Sequence, residues 1–153
     1  MKITYRILCF LIVSISVNPT RTHASLGDNL ASVTKDHKAL HATSRTSTTQ
    51  SAYSVEEITT DASTIREYLS PAGVVFGIAW GGLSHPDLSS LLGSYKNEYQ
   101  QALQNDTSPR GRRHSQIKSD RVVVEKWGHM RNMKGRAYIP ALIPAGVTAY
   151  EIQ

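Results

Sequence analysis

The chain has 153 residues, with 17 Lys and Arg against 12 Asp and Glu and a formal net charge of +5. This length predicts one domain rather than two. Hydrophobic residues make up 40% of the chain, which is too many for a fully disordered chain and too few for a membrane protein with several spans.

The first 24 residues have the pattern of a secretory signal peptide. Lys2 and Arg6 give a basic start, an apolar run follows over residues 7–17, and Ala24 is the small residue before the expected cut. The apolar run is too short to span a bilayer comfortably. We therefore expect export, with cleavage after Ala24; an uncleaved anchor is the alternative.

Cleavage would change the chemistry of the chain. It would remove three basic residues and no acidic one, so the mature chain would carry 14 basic and 12 acidic residues, a net charge of +2. It would also remove Cys9, the only cysteine. A chain without a thiol forms no disulfide, has no cysteine nucleophile and offers no sulfur ligand to a metal.

Residues 25–51 are predicted to form a flexible N-terminal segment. Apolar side chains at helical spacing from Leu26 to Leu40 allow a short amphipathic helix. Ser and Thr dominate residues 42–51, as is typical of a linker. A single α+β domain is then expected over residues 52–153.

Three strands are predicted next, over residues 52–60, 64–69 and 74–80, because each combines β-favouring residues with alternation. The third is apolar on both faces, which indicates a central strand. The residues expected to share one of its faces are Phe76, Ile78 and Trp80. Tight turns, one of them Ser-Pro-Ala-Gly, join the strands into an antiparallel meander.

One amphipathic helix is predicted over residues 86–104. Ser84 and Asp87 resemble a capping box, and Pro86 suits a first helical turn. Gly93 lowers the helix propensity but would permit close approach to the sheet. The apolar stripe at helical spacing consists of Leu88, Leu91, Leu92, Tyr95, Tyr99 and Leu103.

The remaining pattern predicts a fourth strand over residues 117–127 and a fifth over residues 130–139. Gly128 and His129 are the expected turn, and Gly135 is expected at a bulge. Prolines after residue 139 predict irregular structure to the end. The expected class is therefore α+β: about five short antiparallel strands, a meander plus a hairpin, with the helix packed on one face.

Several motifs together resemble a bacterial family known only as the domain of unknown function 2844. They are Arg66-Glu67-Tyr68-x-Ser70-Pro71-x-Gly73-x-Val75-Phe76, Pro86-Asp87-Leu88-x-x-Leu91-Leu92-Gly93-x-Tyr95, Gly128-His129-Met130, Gly135-Arg136-Ala137-Tyr138 and Pro144-x-Gly146-Val147. The resemblance covers nearly the whole mature chain. It implies a single-domain protein exported by a Gram-negative bacterium, periplasmic or secreted, and it brings no assigned catalytic residues.

A basic loop is the most distinctive polar feature. It contains Arg110, Arg112, Arg113 and His114, and its charge suits phosphate or an acidic polysaccharide. Acidic neighbours and the lack of a nucleic-acid motif count against a nucleic-acid partner. A solvated loop without a ligand is the competing interpretation.

Aromatic residues supply the other binding candidates. Trp127 and His129 follow each other closely at a predicted strand end, where a tryptophan is expected to be partly exposed, whereas Trp80 is expected in the core. A ligand groove lined by Trp127 and His129 is one interpretation of this pattern. An ordinary core edge is the other.

Catalytic and metal-binding signatures are weak. His37 and His41 would share a helix face, but the glutamate of His-Glu-x-x-His is missing, and no Gly-x-Ser-x-Gly elbow occurs. Glu67 and Asp87 would form a carboxylate pair only if the fold brought them together. We expect neither a metal nor a cofactor.

Three functions stay open at this point. The first is a non-catalytic accessory or binding module of the bacterial envelope, whose partner is an envelope protein or a polysaccharide, with no transmembrane segment after cleavage. The others are a small exported hydrolase that uses His129 or His85 with a carboxylate, and a polyanion-binding protein that uses the basic loop. A deep pocket around His129 would favour the hydrolase, and a flat or convex surface the binding module.

Overall fold

The computed structural model describes residues 26–29, 44–108 and 113–153. The predicted signal peptide, most of the predicted N-terminal helix with His37 and His41, and Arg110 and Arg112 of the basic loop lie outside the described residues.

Seven antiparallel strands form one sheet. They are β1 (Ser44–Thr49), β2 (Ser54–Thr59), β3 (Ser63–Leu69), β4 (Val75–Gly82), β5 (His114–Lys118), β6 (Val123–His129) and β7 (Asn132–Tyr138). Their order across the sheet is β1-β2-β3-β4-β7-β6-β5, so β4 is central, as the third predicted strand was expected to be. The described fold is mostly β, and the expected α+β class with about five strands is wrong.

Two strands account for the difference in number. β1 lies within the predicted linker and pairs with β2 along its whole length, from Ser44 opposite Thr59 to Thr49 opposite Ser54. The fourth predicted strand is divided into β5 and β6 because Ser119 turns the chain: its hydroxyl accepts the Val122 amide at 3.1 Å. This side-chain bond closes a turn at the point where one continuous strand would need backbone hydrogen bonds to a neighbouring strand.

The predicted helix is interrupted, although its apolar face is correct as far as Tyr99. Its parts are α1 (Leu88–Leu91), a 3₁₀ turn (Gly93–Tyr95) and α2 (Lys96–Asn105). Gly93 has φ +49°, a conformation that glycine adopts easily and that ends the first segment. Asp87, not Ser84, is the N-cap, since its Oδ1 accepts the Ser89 amide at 2.9 Å. No helix among the described residues is long and apolar enough to cross a membrane.

The main core lies between these helices and one face of the sheet, here called the inner face. Its buried side chains are Leu26, Ile65, Leu69, Val75, Ile78, Trp80, Leu91, Leu92, Tyr99, Ile117, Val122, Val124, Ala137 and Ile139. Leu92 is fully buried, as the helical stripe predicts, whereas Leu103 at the end of the stripe is exposed. Ala102 packs against this core instead.

A second, smaller core covers part of the opposite, outer face. Tyr53, Tyr68, Phe76, Ala79 and Ile152 form it, together with the C-terminal segment, residues 139–153. The β3–β4 register shifts here: Leu69 pairs with Val75, whereas the preceding residue, Tyr68, pairs with Gly77. Phe76 is the extra residue of this bulge and lies on the outer face. The prediction that it shares a face with Ile78 and Trp80 is therefore wrong.

The β6–β7 hairpin turns two residues later than predicted. His129 pairs with Asn132 across the loop, and Arg131 has φ 61°. Gly135 is not at a bulge, since its register with Trp80 is regular. It lies under the Trp80 ring, where a Cβ atom would come within 2.3 Å of Cζ2. Glycine is thus required by close packing, not by a change of register.

Candidate binding surfaces

Three of the predicted site residues meet where β5 begins and β6 ends. His114 and Trp127 are cross-strand partners, with ring centroids 6.5 Å apart and ring planes inclined by 28°. The Gly128 amide donates to the Arg113 carbonyl at 3.2 Å, which fixes the start of β5 beside β6. His114 and Arg113 are exposed and Trp127 is half-buried, as predicted for the tryptophan.

Lys134 on β7 belongs to the same surface. It lies opposite Trp127 in the β6–β7 register and is exposed. It makes no ion pair with any residue that the structure describes. Lys134 does not stand out in the sequence, because only the cross-strand register brings it to Trp127 and no local pattern encodes that register. We call Arg113, His114, Trp127 and Lys134 the platform.

Arg136 holds the platform against the C-terminal segment. Its Nε bonds to Glu125 Oε2 at 2.5 Å, and its Nη1 donates to the Ala149 carbonyl at 2.6 Å. The rings around its guanidinium are Trp127 and Tyr138, both 5.8 Å from Cζ, and Tyr150, 5.5 Å away. Only 13% of the Arg136 side chain and 8% of the Glu125 side chain are exposed. This buried pair has a structural role, and it fixes one edge of Trp127.

The two histidines considered for catalysis have different surroundings. His129 is exposed at the tip of the β6–β7 hairpin. His85 is half-buried, and its Nδ1 accepts the Trp80 indole N–H at 2.9 Å. Burial lowers the pKa of His85, and the Lys126 charge lowers it further. Both effects favour the neutral ring, whose Nδ1 serves as a structural acceptor. Within the part of the chain that the structure describes, neither histidine has the oriented partners of a catalytic base.

The carboxylates considered for catalysis are not brought together. Asp87 caps α1, and its pKa is lowered because it accepts the Ser89 amide. Glu67 lies instead opposite Glu56 across β2 and β3, with both side chains buried on the inner face. This pair was missed because it depends on strand register. Each of these two glutamates is engaged in interactions within the chain.

A groove of about 510 Å³ occupies the other end of the outer face. Side chains from β1, β2 and β3 and from the C-terminal segment line it. The Glu57–Arg66 ion pair, 2.6 Å between Oε2 and Nε, crosses its floor. None of the predicted site residues that the structure describes lines this groove. The groove was not predicted from the sequence because β1 was assigned to a linker.

Comparison with known proteins gives a family but no function. The family model described as "Protein of unknown function (DUF2844)" matches residues 22–152. No curated protein and no solved structure matches the chain.

Proposed function

The chain belongs to the DUF2844 family of proteins of unknown function, and we propose that it is an exported, non-catalytic binding module of the bacterial envelope. Its ligand-facing surface is the platform. Export is supported by the basic start and short apolar run before Ala24. The periplasm or the medium of a Gram-negative bacterium as its destination is what the family resemblance implies. The exposed His129 and the bonded His85 give less support to a hydrolase.

The stacked His114–Trp127 pair carries this proposal, with Lys134 opposite Trp127 and Arg113 next to His114 in the chain. The rings offer flat apolar surface, while Arg113 and Lys134 offer charges that make no ion pair with described residues. Such a combination suits a ligand with ring faces and acidic groups. Arg110 and Arg112 extend the charge along the sequence. An acidic polysaccharide therefore fits better than an uncharged or basic partner.

Titration with polygalacturonate tests the platform. The mature chain should bind more weakly at about 200 mM than at about 50 mM salt, because binding releases counterions. Trp127→Ala should weaken binding about tenfold at either salt concentration, the effect of losing an aromatic anchor. Lys134→Ser should weaken it and also flatten the salt dependence. Lys118→Ser, an exposed cation at the far end of β5, is the matched control and should change little.

Two outcomes would contradict the platform assignment: no saturable binding at low salt, or an equal loss in Lys118→Ser and Lys134→Ser. Export is tested separately by the intact mass of the protein in the periplasmic fraction and the medium. We expect a chain that begins at Ser25. Full-length chain recovered from the membrane would show an anchor instead.

A further inference from the structure

The groove on the outer face has one wall whose polar groups already have protein partners. The Tyr68 hydroxyl donates to the Gln153 main-chain oxygen at 2.8 Å and accepts the Gln153 amide at 3.1 Å. Burial, and then the nearby Glu151 carboxylate, raise the pKa of the Tyr53 hydroxyl. Both rings pack in the outer core at 5.8 Å between centroids. They give this side of the groove a fixed, partly apolar surface.

The facing wall, from β1, carries polar groups without such partners. Thr46, Thr48 and Gln50 are exposed, and their side chains form no hydrogen bond with any residue in the described part of the chain. On the floor, Arg66 uses Nε for Glu57 and Nη1 for the Gln153 oxygen. Glu57 Oε1 and Arg66 Nη2 make no hydrogen bond with any described residue, so the pair offers the groove an acceptor beside a donor.

We propose that this groove is a second binding site and that its ligand is a neutral oligosaccharide. A hydroxyl both donates and accepts, which matches the mixed groups of the β1 wall and of the Glu57–Arg66 pair. The tyrosine rings provide an apolar wall for a sugar face. The volume of about 510 Å³ lies within the usual range for ligand sites, about 300–1,000 Å³.

The charge of the groove separates it from the platform. Two carboxylates, Glu57 and Glu151, face one guanidinium, Arg66, so like charge disfavours an acidic polysaccharide there. The platform has the opposite sign. The two sites on the outer face therefore select different sugars, and binding at the groove does not require the platform.

Calorimetric titration tests the groove with four hexaose probes: β-1,4-glucose, α-1,4-glucose, N-acetylglucosamine and galacturonate. The test variant is Thr46→Val with Thr48→Val, which keeps shape and β propensity but removes two hydroxyls from the groove. The matched control is Ser47→Ala with Thr49→Val, equally exposed on the same strand but on the other face. A thermal melt of each variant confirms that it is folded.

At least one neutral hexaose should bind, and galacturonate hexaose should not compete with it. The test variant should bind this hexaose about tenfold more weakly, as expected for two lost hydrogen bonds, and the control within about twofold of the parent. Trp127→Ala should leave this affinity unchanged, which separates the groove from the platform. The proposal is overturned if no neutral hexaose binds, if both variants lose affinity equally, or if galacturonate hexaose displaces the neutral hexaose.

Discussion

At the scale of single residues, Gly135 is required by the ring that covers it. A Cβ atom there would lie 2.3 Å from Trp80 Cζ2 and 2.7 Å from the Glu125 carbonyl oxygen. Both neighbours are held, the first by the inner core and the second by the backbone of β6. Gly81 on β4 is a matched case without this restriction, because its nearest neighbour would be Lys134 Cγ at 3.9 Å.

We therefore expect Gly135→Ala to lower the free energy of unfolding by about 1–3 kcal/mol, the usual effect of overpacking. Gly81→Ala should stay within about 0.5 kcal/mol of the parent. Urea denaturation of the two variants measures the difference. Equal midpoints would mean that the Trp80 ring does not lie over Gly135 in solution.

His85 makes stability depend on pH. Burial, and then the Lys126 charge, lower its pKa from the usual 6.5, so the folded state favours the neutral ring more than the unfolded state does. The resulting stability is fully present above pH 6.5 and is lost as the pH falls through the lower folded value. Protonation would also remove the Nδ1 acceptor from the Trp80 indole.

His85→Gln keeps an acceptor near Trp80 but cannot titrate. Unfolding free energies of both proteins at about pH 7.5 and about pH 5.5 test this account. The parent should lose stability relative to the variant at the lower pH. A constant difference between the two proteins would show that His85 has the same pKa in the folded and unfolded states.

At the scale of secondary-structure elements, Glu98 joins α2 to the turn between β5 and β6. Its Oε1 accepts the Ser119 hydroxyl at 2.6 Å and the Arg121 amide at 3.0 Å, and its Oε2 accepts Arg121 Nε at 2.8 Å. The Ser119 hydroxyl, followed by Arg121, lowers the pKa of Glu98. The turn that divides the predicted fourth strand is thus held by a helix.

Glu98→Gln should destabilise the protein by about 1 kcal/mol at neutral pH, because charge-assisted bonds are lost in a partly solvent-screened position. The depressed pKa places this stabilisation above pH 4.5, and it disappears as the pH falls through the folded value. The unfolding free energies of parent and variant, measured by denaturation, should therefore differ at neutral pH and become equal at acidic pH. A gap that persists in acid would point to packing rather than charge.

The strands show how far the sequence determines the fold. Residue patterns predict β2, β3, β4 and β7, because each of these strands buries side chains in the sheet, β4 on both of its faces. Alternation fails for β1, where residues 46–49 are all exposed and where the strand depends on pairing with β2. It also fails at Ser119, since a single side-chain bond to Val122 competes with the strand pattern.

The candidate sites follow the same rule. Trp127 and the basic residues before β5 stand out by residue type, and the sequence predicts them. Their neighbours do not stand out, because Lys134 reaches Trp127 only through the β6–β7 register and the groove exists only once β1 pairs with β2. Register is set by the whole sheet, so local periodicity cannot reveal it.

At the scale of the whole molecule, the C-terminal segment connects the two proposed sites. Gln153 bonds to Arg66 and Tyr68 in the groove, while Ala149 accepts Arg136 beside the platform. Ile152 lies between these contacts, fully buried, with Cδ1 2.7 Å from where a Gly77 Cβ would be. A side chain seated so closely on β4 fixes the segment, and through it both sites.

Ile152→Ala should therefore weaken both sites as well as the fold. A buried large-to-small change costs about 2–5 kcal/mol, and Leu92→Ala, in the inner core, is the matched control with the same expected loss. At a temperature where both variants remain folded, only Ile152→Ala should reduce the affinities for polygalacturonate and for the neutral hexaose, because only Ile152 packs against the outer face. If the two variants bound both probes alike, the C-terminal segment would contribute to stability alone, and the sites would depend on the sheet without it.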